Sequence, residues 1–146
     1  MKEVRILLVE DNEGDIILTL KALQKANVHN TIDVVKDGEQ AIQFLQKEGP
    51  FKDAETPGLI LLDINLPKVD GMEVLTAIKN HEHLRVIPVV MLTTSDSEKD
   101  IMQSYYHHAN CYITKPVSFS KFIEVVHRIK DFWISIVQLP KPAEDE

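Results

Sequence analysis

The chain of 146 residues has one cysteine, Cys111, so it cannot close a disulfide within itself. Small secreted domains more often carry an even set of cysteines, so the expectation is a reducing compartment, the cytoplasm. Long hydrophobic runs are missing too. No segment approaches the ~20 apolar residues that span a bilayer, and the first apolar run ends at Glu10, too early for a signal peptide. No membrane contact is expected. Positive charge is in the minority, with sixteen Lys and Arg against twenty-three Asp and Glu and a formal net charge of −7. With no local basic face either, binding to nucleic acid or to an anionic membrane is not expected. There are no internal repeats and no low-complexity tracts. What is present is 44% hydrophobic and 27% charged residues, the balance of a soluble globular protein, at a length that suits one domain.

The apolar residues fall into short continuous runs separated by amphipathic stretches. Val4 to Val9 is a β-branched and aliphatic run that stops at Glu10-Asp11-Asn12. After it, Ile16, Leu20 and Leu23 share one helical face, with Asp11, Asn12 or Asp15 available as the cap. The alternation continues with strands at 31–35, 59–64, 86–93 and 111–114. Helices are expected after Asp37-Gly38, from Gly71 to about Lys79, from Ser97 to about His108, and from Ser118 to Leu139. Five strand–helix pairs with near-continuous apolar strands predict an α/β fold, a parallel sheet covered on both faces. Pro88 removes a ladder donor and belongs at that strand's first turn or on an edge. The connection from Glu48 to Gly58 exceeds the usual ~2–6 residues, as a surface insertion or a partner-contact loop would. The last helix, if continuous, is about 33 Å long at 1.5 Å per residue. Its apolar arc, with Phe122, Val125, Val126, Ile129, Phe132, Trp133 and Ile136, is wider than a one-sided surface helix needs. Phe122, Val125, Phe132, Trp133 and Ile136 are therefore the candidate homodimer or partner interface. The tail from Pro140 to Glu146 is polar and proline-broken, as a disordered segment is.

Ligands of open parallel α/β sheets bind beyond the carboxyl ends of the strands. In this chain those ends carry Glu10-Asp11, Asp63 with Asn65 after it, Thr93-Thr94, and Lys115-Pro116. Packed together, Glu10, Asp11 and Asp63 repel one another unless something positive sits among them. Hard oxygen ligands without cysteine or paired histidine suit Mg²⁺. An aspartate can attack phosphorus, and a cation and a lysine neutralise the charge on the transferred group. Asp63 is then the nucleophile, Lys115 a point charge for a phosphoryl oxygen, and the Thr93 hydroxyl a hydrogen-bond donor to another. Each of these residues alone is an ordinary cap or loop former; four successive strand ends together are specific. The six histidines form no comparable set, because His81/His83 and His107/His108 do not share a helical face.

Over about Val4 to Leu139 these residues resemble the receiver domain of two-component response regulators. The resemblance is carried by Ile6-Leu7-Leu8-Val9-Glu10-Asp11, by Leu61 to Pro67 with Asp70-Gly71 after it, by Val89 to Thr94, and by Tyr112-Ile113-Thr114-Lys115-Pro116. It implies a flavodoxin-like (βα)5 doubly wound five-stranded parallel sheet of strand order 2-1-3-4-5 with an extended C-terminal helix, the receiver domain running over residues 1–139. It also implies that a sensor histidine kinase phosphorylates Asp63, and that Glu10, Asp11, Asp63 and the backbone carbonyl of Asn65 hold Mg²⁺. Thr93 and Lys115 contact the phosphoryl oxygens, and Thr93 with Tyr112 forms the switch that reshapes the fourth helix, fifth strand and fifth helix. The chain departs from the family pattern at His108-Ala109, where a glycine-alanine pair is usual, and at Thr94, where alanine or glycine is common. A narrower resemblance runs through the loop Glu48 to Gly58, Asn65-Leu66-Pro67, His81 to Leu84, Asn110 to Lys115, and Phe132-Trp133 with Leu139-Pro140. It is to the stand-alone regulators of bacterial and cyanobacterial phytochrome kinases, and implies a phytochrome-type kinase as phosphodonor and no attached output domain.

Other classes fit less well. An aspartate-nucleophile phosphatase needs a second acid two residues on, where this chain has Asn65, and a flavodoxin-type electron carrier needs a Ser/Thr-rich loop where it has Glu10 to Glu13. A constitutive binding module and a phosphorelay carrier remain the alternatives.

Overall fold

The strands form because short aliphatic runs can be buried on both sides at once. In the computed structural model, which describes residues 4–136 and 139–140, these are β1 (Ile6–Val9), β2 (Ile32–Val35), β3 (Leu59–Leu62), β4 (Val89–Thr93) and β5 (Cys111–Thr114). All pair in parallel in the order β2-β1-β3-β4-β5, with Ile6 opposite both Ile32 and Leu59. Alternate side chains go to opposite faces. Leu7, Val9, Ile60, Leu62, Val89 and Met91 enter one core layer, and Ile6, Leu8, Leu59, Leu61, Val90 and Leu92 enter the other.

The helices are α1 (Glu13–Lys25), α2 (Gly38–Gln46), α3 (Gly71–Asn80), α4 (Glu98–Tyr106) and α5 (Phe119–Ile129). Ala22 and Leu23 of α1 and Phe122, Val126 and Ile129 of α5 cover one face, while Ala41, Phe44 and Leu45 of α2 and Val74, Leu75 and Ile78 of α3 cover the other. The α4 helix lies against α3 and β5. Each helix starts on a short polar side chain that accepts a backbone N–H of the first turn: Asn12, Asp37, Asp70, Ser97 and Ser118. These caps lie in the connections between each strand and the helix that follows it. Two helix starts need glycine for closeness. A Cβ on Gly71 would lie 2.0 Å from the Asp63 carbonyl oxygen, and one on Gly38 would lie 1.8 Å from that of Val69. The α3 amino end is thereby pressed against the backbone of Asp63.

The structure refines three of the expectations from sequence. Pro88 lies outside β4 and serves as an acceptor only, taking the Ile60 N–H at 3.1 Å, which is the one ladder role a proline retains. The long connection from Glu48 to Gly58 carries structure of its own: it contains a 3-10 turn at Gly49–Phe51, with Phe51 against Phe44 at 5.4 Å between ring centroids, and Glu55 pairs with Arg5 at 3.4 Å.

The last helix is not continuous α-helix to Leu139. The α5 helix ends at Ile129 and a π-helical segment follows over Lys130–Ile136. Its wider i→i+5 winding brings the adjacent Trp133 and Ile134 both onto the core layer of α1 and α5. Phe132 is left 53% exposed. Phe122 is core at 5% exposure and unavailable to a partner, and Val125 and Trp133 are partly buried against the same layer. The side chain of Ile136, and the tail beyond Pro140, lie outside the described residues. Among the described residues no helix is long and apolar enough to cross a membrane.

Candidate functional site

Backbone ladders continue one residue past the strands and so fix the edge residues. The N–H of Glu10 donates to Val35, that of Asp63 to Val9, and that of Lys115 to Thr93, at 3.1, 3.1 and 2.7 Å. Side chains from the sequence-distant ends of β1, β3, β4 and β5 therefore converge. Glu10, Asp11 and Asp63 each present a carboxylate oxygen, all within 4.8 Å of one another. Glu10 and Asp63 are buried and Asp11 is exposed. Three hard oxygens gathered this closely, with no sulfur or imidazole among them, fit a divalent cation of the Mg²⁺ or Mn²⁺ kind.

The positive group beside them is Lys115, whose side chain is 6% exposed. Its Nζ donates to Glu10, lies 3.3 Å from Asp15 Oδ2, and lies 3.5 Å from Asp63 Oδ2. Burial pushes the Glu10 carboxyl up to about 7; the Lys115 hydrogen bond opposes this and the Asp63 charge adds to it. Burial also opposes the Lys115 charge, but the Glu10 hydrogen bond and the carboxylates of Asp63, Glu10 and Asp15 outweigh it and hold Lys115 above the ordinary lysine value. Both partners move up for one reason. Lys115 answers to three carboxylates, while Glu10 has one lysine, a like charge and little water, so an extra proton of the cluster sits on Glu10 and the ammonium stays charged.

Around this centre, Asp63 Oδ1 accepts the Asn65 N–H at 3.2 Å, which brings the Asn65 peptide to the edge. Thr93 is fully buried and its Oγ1 accepts the Ser95 N–H at 3.4 Å. The Tyr112 hydroxyl donates to the Ser95 carbonyl at 2.8 Å, and Thr114 Oγ1 donates to the same oxygen at 3.4 Å. Burial raises the Tyr112 phenol, with Asp100, Asp63 and Asp96 adding to it against the Ser95 hydrogen bond. Ser95 thus links Thr93 to Tyr112, and its own hydroxyl donates to Asp100 of α4 at 2.6 Å. Thr94 faces solvent.

Of the residues named from sequence, the structure gathers Glu10, Asp11, Asp63, Thr93 and Lys115 at this edge, sets the Asn65 N–H against Asp63, and joins Tyr112 to Thr93 through Ser95. Two were missed. Ser95 had no chemical signal, since its link from Thr93 to Tyr112 runs through its backbone N–H and carbonyl. Asp15 was read only as a possible cap, because its place beside Lys115 follows from how α1 lies against the strand ends. Asn12 is the actual cap, accepting the Asp15 N–H at 2.9 Å.

A doubly wound sheet of this order, with acids, a buried threonine and a buried lysine on its carboxyl edge, defines the class of α/β signalling receivers. The chain belongs to the response regulator receiver domain family, whose family model matches residues 6–127. Response regulator Rcp1 of Synechocystis sp. is 44% identical over 135 residues, 92% of each chain. Its Mn²⁺-bound crystal structure aligns with TM-score 0.90 over 94% of this chain and 99% of that one, at 43% identity. The phosphorylated cyanobacterial phytochrome response regulator RcpA aligns with TM-score 0.91 at 47% identity, over 95% of this chain and 99% of that one. The probable methanogenesis regulatory protein FilR2 of Methanothrix harundinacea is 42% identical over 94% of this chain and 88% of its own.

Proposed function

We propose that this protein is a single-domain response regulator, one receiver over residues 1–139, that accepts a phosphoryl group on Asp63 from a phytochrome-type sensor histidine kinase and then changes its partner or homodimer contacts. The observation that carries the reading is the convergence of Glu10, Asp11 and Asp63 within 4.8 Å beside a buried lysine. Glu10, Asp11, Asp63 and the Asn65 carbonyl would hold Mg²⁺, which supplies positive charge against the phosphoryl oxygens when bound. An Asp63 carboxylate oxygen forms the new P–O bond as the P–N bond of the donor phosphohistidine breaks, and the imidazole leaves with the bonding pair. Lys115 neutralises charge on the group in transit and the Thr93 hydroxyl donates to one of its oxygens. Once Thr93 turns its hydroxyl to the phosphoryl group, the Ser95 amide loses its acceptor. The Ser95 carbonyl, held by Tyr112 and Thr114, then carries the change to β5 and α4. The chain assists its own phosphorylation and dephosphorylation and acts on no separate substrate, in the cytoplasm.

The kinase assignment rests on the likeness to RcpA, whereas FilR2 is nearly as similar to this chain and carries a different name, so the donor is the part to test. Intact mass is measured after incubation with Mg²⁺ and a phosphorylated phytochrome-type kinase, for wild type, Asp63→Asn and a chelator control. The expected result is a gain of one phosphoryl group, lost in the mutant and with chelator. Gain from acetyl phosphate but not from the kinase overturns the partner; gain from neither overturns the receiver chemistry and leaves a constitutive binding module.

A further inference from the structure

Lys115 is shared among more carboxylates than a phosphoryl site needs. Glu10 and Asp63 belong to the trio that suits a divalent cation, but Asp15, 3.3 Å from Lys115 Nζ, does not. It comes from α1, at 34% side-chain exposure, and the ion pair the structure gives its carboxylate is with Lys115. Its backbone accounts for its place in the helix, the N–H going to Asn12 and the carbonyl accepting the Thr19 hydroxyl at 2.7 Å. The carboxylate is therefore free of the cap and acts on the lysine.

We propose that Asp15 is a positioning residue for phosphoryl transfer, a carboxylate that occupies one of the Lys115 donors and thereby weakens the hold of the edge on an incoming phosphoryl anion. This rests on the reading of Asp63 as phosphoacceptor. When a cation takes up the charge of Glu10, Asp11 and Asp63, Asp15 is the carboxylate left to hold the lysine. A phosphoryl group arriving on Asp63 must win the Lys115 ammonium from it and bear its repulsion. An asparagine at this position keeps the size and an acceptor oxygen for Lys115 but removes the charge, so Asp15→Asn separates repulsion from tethering. Asp15→Glu keeps the charge.

The test uses the full chain at saturating Mg²⁺. Beryllofluoride, an inorganic mimic of an acyl-linked phosphoryl group, is titrated by calorimetry, and the rate of phosphorylation by acetyl phosphate is followed by intact mass. Asp15→Asn is expected to bind beryllofluoride about three- to tenfold tighter and to lower the half-saturating acetyl phosphate concentration by a similar factor. The saturating rate moves less, and the gain shrinks as salt is added. Asp15→Glu restores wild-type behaviour. Unchanged or weaker binding by an Asp15→Asn variant that melts like wild type overturns the proposal, as does an equal gain in Asp15→Glu. A wild-type protein that takes neither beryllofluoride nor a phosphoryl group overturns the phosphoacceptor reading itself, and this inference with it.

Discussion

At the scale of single residues, Glu10 sets how the edge responds to pH. Its carboxyl is raised from 4.5 to about 7, chiefly by burial. In metal-free protein the folded state therefore binds the extra proton across that window and the unfolded chain does not. The contribution is fully present below 4.5, and stability is lost as pH rises through 7. A bound cation needs the ionised carboxylate and expels this proton, so metal affinity runs the opposite way, climbing with pH and levelling above about 7. Denaturation in chelator at about pH 5 and about pH 8 is expected to show a loss on the order of 2 kcal/mol at the higher value, with Glu10→Gln nearly flat. A wild-type slope no larger than that of Glu10→Gln would show that the proton sits elsewhere in the cluster. The legible part of the site was its inner set, because each member follows an apolar run directly. Asp15 was not legible in that role, since its meeting with Lys115, 100 residues later in the chain, depends on how α1 lies against the strand ends.

At the scale of elements, the turn from α4 into β5 explains the departure at His108. The Ala109 N–H reaches the Ser104 carbonyl and the His108 N–H reaches that of Tyr105, a Schellman ending with His108 at the left-handed position, φ 71°. Glycine is the ordinary residue there. Asn27 and Lys47 close α1 and α2 in the same way, at φ 62° and 58°. Glycine at 108 would remove a conformational cost of about 1–2 kcal/mol but add freedom to the unfolded chain worth up to about 1 kcal/mol. His108→Gly is thus expected to stabilise by up to about 1 kcal/mol, and His108→Val to destabilise by about 1–2 kcal/mol, both read from urea midpoints. A valine variant as stable as wild type would contradict the turn. The five strands and the helices before α5 were legible because apolar runs and caps alternate so regularly. The passage from α5 into π-helix was not, because the stripe through Phe122, Val126, Ile129 and Trp133 suits an unbroken α-helix equally well. Only the packing of Ile134 beside Trp133 distinguishes the two.

At the scale of the molecule, that same passage decides what the chain can offer a second copy. Two core layers bury almost every large apolar side chain of the sheet, and winding Trp133 and Ile134 inward closes the layer of α1 and α5. Of the interface expected along the last helix, the described exposed apolar group is Phe132, set edge-on against Trp133 at 5.4 Å. An aromatic ring held rigid by its neighbour is a low-entropy anchor for association, and a two-fold dimer needs only that one patch to meet its own copy. A homodimer formed through this face should therefore depend on Phe132 and be indifferent to surface changes on α4. Sedimentation equilibrium is expected to show Phe132→Asp weakening dimerisation by at least about tenfold, with the thermal midpoint little changed because the side chain carries little of the core. Tyr106→Asp, on the exposed side of α4, should leave dimerisation intact. If Tyr106→Asp alone dissociates the dimer, the contact runs through α4 and β5, where the Ser95 linkage would couple it to Thr93 at the strand edge; if neither does, the Phe132 face is not the interface.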